Sequence, residues 1–164
     1  MANANKITPS NLVRALRLPF ITASILPFVF GSLLAKNNFN LSNFFLGLIC
    51  AIGMHLSANL INDYADSKSG ADWQDRKFYN FFGGSKLIQE GILSEKFYLN
   101  AAVICFIIAS LSIVLLAVIL QSLLIIGLYF LILFLAWSYS IKPLAFSYHR
   151  RPSENYSSLT RDLK

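Results

Sequence analysis

Four long stretches without one charged side chain decide what this chain can be: residues 18–35, 41–61, 97–120 and 122–141. A helix needs roughly 20 apolar residues to cross a hydrocarbon core. Strands alternate polar and apolar positions, whereas these runs are apolar on every side. Only 13% of the 164 residues are charged, and the mean hydropathy is +0.56. The expected fold is therefore all-α, an integral membrane helical bundle with four transmembrane helices. The first run reads as a retained span, not a cleaved leader, because a long polar region precedes it and no small-x-small site follows.

The basic residues give an orientation. Lys6, Arg14 and Arg17 precede the first run; Lys68, Arg76, Lys77, Lys86 and Lys96 lie between the second and third; five more follow the fourth. The opposite connections hold Lys36 alone, so 13 basic residues stand against 1. Basic loops stay on the cytoplasmic side. A multi-pass protein of the cell membrane is expected, with both termini and the acidic loop in the cytoplasm. The net charge of +6 then reflects topology and contact with anionic lipid, and no nucleic-acid module is visible.

The expected plan is a cytoplasmic lead-in over 1–17, helices near 18–35, 41–66, 97–120 and 122–141, and a cytoplasmic loop over 67–96. Short turns at 37–40 and near Gln121 make antiparallel hairpins. A loop of that length is functional or disordered. Its Trp73, Phe78, Tyr79, Phe81 and Phe82 favour an ordered cap at headgroup level. Cys50 and Cys105 sit in separate runs and read as packing residues.

The second run ends in "NLINDYADSKSGAD", residues 59–72, which carries three aspartates. His55, Asn59, Asn62, Asp63 and Asp66 fall within an arc of about 100° at ~100° per residue. Polar groups at membrane depth face a bundle interior or a wet cavity, and a solvated loop gives no reason for the stripe to start at His55. Closely spaced carboxylates with amide carbonyls beside them are hard ligands suited to Mg²⁺, which keeps its waters and is completed by substrate phosphates. His55 alone reads as a hydrogen-bonding partner in helix packing.

These residues also carry a resemblance. "NDYADSKSGAD" (62–72) resembles the first aspartate-rich motif of the UbiA superfamily of membrane-embedded aromatic prenyltransferases. "LRLPFITASILPFVFGSLLA" (16–35), "FFGGSKLIQEGILS" (81–94) and "WSYSIKPLAFSYH" (137–149) are similar to the branch that prenylates 1,4-dihydroxy-2-naphthoate in menaquinone biosynthesis. The resemblance implies Mg²⁺ as cofactor, a polyprenyl diphosphate donor and an aromatic acceptor. It implies Asn62, Asp63 and Asp66 as Mg²⁺ and diphosphate ligands, with Asp63 and Asp66 catalytic. Asp72 joins the metal set with less weight, since the usual further acid position is Gly70, which reads as a helix stop. Asn59, Lys68, Arg76, Lys77, Lys86, Arg17 and Tyr139 are the remaining substrate-binding candidates.

The implied family fold has about nine helices in two halves, each with an aspartate-rich motif. Four helices and one motif correspond to one half. The chain is thus expected to be truncated or frame-shifted near Arg150, with an aberrant or disordered tail over 150–164; it is an enzyme by resemblance, its activity alone is left open, and pairing of two copies is the other reading. Another acceptor such as 4-hydroxybenzoate, a non-catalytic membrane fragment and a small transport subunit stay open.

Overall fold

The computed structural model describes residues 7–35, 38–73, 78 and 83–140, with the side chains of residues 71, 139 and 140 left out. Every regular element among the described residues is helical. Helix α1 (Pro9–Ala15) forms within the lead-in, because Thr8 accepts a hydrogen bond from the Asn11 backbone and Pro9 occupies the first turn, where its missing N–H costs nothing. Arg17 then takes a left-handed conformation (φ 49°) and starts a 3₁₀ turn over Leu18–Ile21. That turn runs into α2 (Thr22–Leu34), and the path from α1 bends by 47° on the way.

Helix α3 (Leu41–Ser69) is capped by the Asn40 side chain and stopped by Gly70 at φ 84°. Glycine adopts that conformation without a Cβ clash, so the expected stop falls where the sequence placed it. A 3₁₀ turn, Ala71–Trp73, follows. Helix α4 (Glu95–Leu120) begins under a Ser94 cap and ends at Gln121. Helix α5 (Leu123–Ser140) completes the set.

Helices α3 and α4 are long and apolar enough to cross a membrane, and the bent pair α1 and Leu18–Leu34 is a third span if taken as one path. Helix α5 is the fourth apolar helix, in the expected place. The fold is therefore a membrane helical bundle. The tail over 150–164 lies outside the described residues.

Helices α3 and α4 pack most closely. A Cβ on Gly53 would come within 2.9 Å of the Cys105 carbonyl and 3.0 Å of the Ala109 Cβ. Small residues let helix backbones approach where no hydrophobic force separates helix from lipid. Across the bundle Ser24 bonds the His55 Nδ1 at 2.8 Å, and Ser110 bonds the Tyr129 hydroxyl at 2.7 Å. The main buried cluster lies at one end of the bundle. It joins Ala15 of α1, Leu60 and Ile61 of α3, Leu87, Ile88 and Leu93 of the loop, and Tyr98 and Ala102 of α4. Much of α4 and α5 instead shows exposed leucine, isoleucine and phenylalanine, the surface expected against lipid.

Candidate functional site

The polar end of α3 carries two acidic regions one turn apart. The first is buried. Asp63 is 2% exposed and forms an ion pair with Arg17 through Oδ1, while Oδ2 accepts the Ser85 backbone N–H at 3.0 Å. The Ser85 hydroxyl meets the Tyr98 hydroxyl at 2.5 Å. Beside it Lys86 donates to Asp72 at 2.6 Å, and both are buried. The two acids therefore sit with two cations in a quartet of no net charge.

Local backbone geometry builds that quartet. Arg17 and Lys86, its two cations, are both non-glycine residues at positive φ, 49° and 61°. Such conformations cost free energy and persist only where surrounding contacts fix them. Gly84 provides the space. A Cβ there would lie 2.5 Å from Asp72 Oδ2 and 3.3 Å from Asp63 Oδ1, so the turn can approach both carboxylates only without a side chain. Bonds from Arg14 to Glu90, at 2.9 and 2.5 Å, tie the lead-in helix to the same loop.

The second region is the remainder of the stripe. Asp66 is partly exposed and accepts from Asn62 Nδ2 at 3.0 Å. Asn59 Nδ2 and His55 Nε2 are buried atoms with no hydrogen-bond partner among the described residues. A buried amide donor without a partner is costly, and it is the kind of group a bound ligand or water satisfies. Below the stripe lies a cavity of about 510 Å³, walled by residues of α2, α3, α4 and α5, including Phe28, Met54, Leu128 and Ile132. His55 belongs to both the stripe and the cavity wall.

The structure thus brings Arg17, Asp63, Asp72 and Lys86 together, and separately aligns Asn59, Asn62 and Asp66. Lys68 instead pairs with Glu95 at 2.5 Å on the outside of the α3–α4 junction, and Ser67 bonds the same carboxylate at 2.9 Å. Arg76 and Lys77 lie outside the described residues, as does the side chain of Tyr139. Gly84, Ser85 and Tyr98 were not among the expected site residues. The Gly83–Gly84–Ser85 turn was visible in sequence, but nothing local tied Tyr98 to it.

A profile of the UbiA prenyltransferase family matches residues 24–153. The chain belongs to the UbiA prenyltransferase family. It is accordingly a membrane protein of a family that transfers prenyl groups to aromatic acceptors. No curated protein and no solved structure matches it.

Among the described residues no group of three or more His, Cys, Asp or Glu side chains is placed to hold a metal ion. The donor set nonetheless suits an ion that retains waters, for which one or two carboxylates suffice. Asp66 supplies one carboxylate, with the amides of Asn62 and Asn59 on the same face. Asp63 has both oxygens engaged and Asp72 faces Lys86, so in this arrangement neither offers an uncommitted carboxylate.

Proposed function

We propose that this UbiA-family chain takes part in transferring a polyprenyl group from an allylic diphosphate to 1,4-dihydroxy-2-naphthoate, a step of menaquinone synthesis, with the charged end of the bundle in the cytoplasm. The observation that carries the reading is the junction at His55, where a polar stripe fit for a diphosphate continues into an apolar cavity fit for an isoprenoid tail. A cavity of about 510 Å³ falls in the range of ligand sites lined by apolar side chains with few polar groups.

In this proposal Asp66, Asn62 and Asn59 hold Mg²⁺ and the diphosphate oxygens. The ion, when bound, neutralises the diphosphate and makes it a leaving group. Lys68 is held by Glu95 away from the stripe, which leaves Arg76 and Lys77, outside the described residues, as the loop cations proposed to meet the diphosphate. Asp63, Asp72, Arg17 and Lys86 hold the loop over the end of α3, and they would meet the substrate only by exchanging their present partners. The apolar cavity keeps water from the allylic carbon, so that the electron-rich ring is the group it meets.

Binding tests the stripe without requiring turnover. In lipid nanodiscs the full chain should bind a non-reactive allylic diphosphate analogue only with Mg²⁺ present. Asp66→Asn should weaken that binding about tenfold or more, in line with loss of a charge-assisted contact. Equal binding by wild type and variant, or binding indifferent to chelation of Mg²⁺, would sink the assignment. Acceptor choice is checked by turnover: a preference for 4-hydroxybenzoate over the naphthoate would refute the menaquinone step and leave the stripe intact.

A further inference from the structure

Arg17 lines a second cavity, of about 380 Å³, between α1 and the Gly83–Gly84–Ser85 turn. Its described lining contains two guanidinium groups and no carboxylate. Arg17 engages Asp63 through Nη2, and its Nε is a buried donor with no acceptor among the described residues. Arg14 spends both Nη atoms on Glu90 and stands over the Phe78 ring at 3.9 Å, and its Nε likewise meets no acceptor among the described residues. Val13, Pro19 and Phe20 add apolar walls, and the Ser10 and Ser85 side chains add polar ones. The residues from α1 to Phe20 precede the stretch that matches the family, and the lining shares no residue with the Asn59–Asp66 stripe.

The chemistry of the lining defines its ligand. Two guanidinium groups whose Nε atoms find no acceptor among the described residues, beside apolar walls in one concavity, suit an anion attached to an apolar body. Its place suits a membrane lipid. Helix α1 departs from the following segment at 47°, where the apolar run begins and the basic residues gather. Basic pockets at that level bind anionic headgroups, and an arginine matches phosphate geometry through its planar fork. We propose that this cavity holds the phosphate of an anionic phospholipid, with Arg17 and Arg14 at the headgroup and the first methylenes against Val13, Pro19 and Phe20. The lipid would fasten the lead-in helix to the loop. This role is independent of whether the stripe binds a diphosphate.

The test is native mass spectrometry of the full chain released from mixed phosphatidylcholine and phosphatidylglycerol, with Val13→Asp, Val13→Trp and Asp66→Asn variants. Val13→Asp brings a carboxylate to the cavity without touching the Arg17–Asp63 pair. Val13→Trp fills the space with no change of charge, and it covers failure of the first variant to fold. Wild type and Asp66→Asn should retain phosphatidylglycerol over phosphatidylcholine, and either Val13 variant should lose it by about tenfold, equivalent to about 1.4 kcal/mol. A further arm adds inorganic phosphate, which should compete the lipid away. Undiminished retention in a folded Val13 variant, or no preference between the lipids, overturns the site. If the wild type released without added phosphate carries no phosphatidylglycerol, yet binds inorganic phosphate when it is supplied, the lipid is overturned as the occupant.

Discussion

Asp63 and Asp66 lie one turn apart on the same helix, yet they have opposite surroundings. Asp63 is enclosed, with a cation on one oxygen and a backbone N–H on the other. Asp66 sits at the stripe and is bonded by a neighbouring amide. Taking a carboxylate out of water is tolerable only if its charge and lone pairs are met, and Asp63 meets that condition. With both of its oxygens engaged, Asp63 has little left for a metal ion. The division therefore separates an enclosed acid that ties the end of the bundle together from a partly exposed one on the stripe.

The largest effect should come from breaking that completion. Asp63→Ala leaves Arg17 and the Ser85 N–H without their acceptor, and loss of one partner of a buried pair costs about 3–5 kcal/mol. Asp66→Ala should cost about 1 kcal/mol, as for a partly exposed side chain. Unfolding titrations in mixed micelles measure both. Similar costs for the two variants would erase the distinction. A double change, Arg17→Met with Asp63→Leu, should recover part of the single-variant loss, because no unpaired charge remains buried.

How much of this was open to the sequence depends on distance along the chain. The uncharged runs located the four apolar helices, and the caps at Asn40 and Ser94 and the stop at Gly70 are local chemistry. The helices exceed the expected bounds of 41–66 and 97–120 at their charged ends, reaching Ser69 and beginning at Glu95. The apolar pattern stops there, while hydrogen-bonded helix continues to the cap. The stripe was legible as a stripe, but Asp63 lies at its edge, nearer the side that carries Ser67. Helical periodicity ranks positions around an axis and does not say which neighbour each one meets. The neighbour of Asp63 is Arg17, 46 residues earlier, and no local signal links them. The loop shows the same limit. Its aromatics were the expected cap, and Tyr79, Phe81 and Phe82 lie outside the described residues; the residues that anchor its described part in the core are Leu87, Ile88 and Leu93.

Gly84→Ala sharpens the comparison at intermediate cost. The new methyl would strike Asp72 Oδ2, held at its other oxygen by Lys86, so the quartet must open to admit it. Overpacking of this kind costs about 1–3 kcal/mol. The added cost should shrink in an Asp72→Ala background, where the struck atom is absent, and Asp66-dependent Mg²⁺ binding should change little by comparison. If Gly84→Ala instead abolished Mg²⁺ binding while stability held, the acids around Gly84 would belong to the ligand site.

The smallest effect belongs to the outer tie between the lead-in helix and the loop. Arg14 and Glu90 meet in a two-point geometry, but their side chains are 19% and 31% exposed. Water screens such a pair, and its contribution is about 1 kcal/mol or less. Glu90→Gln keeps one carbonyl to accept from Arg14 but removes the charge and the second acceptor; on this exposed pair its cost should still fall below that of Gly84→Ala and decline as salt is added. The salt titration carries the test, because the enclosed Asp63–Arg17 pair should respond far less. A Glu90→Gln loss as large as that of Asp63→Ala, and unchanged by salt, would show that the outer tie and the quartet form one cooperative unit.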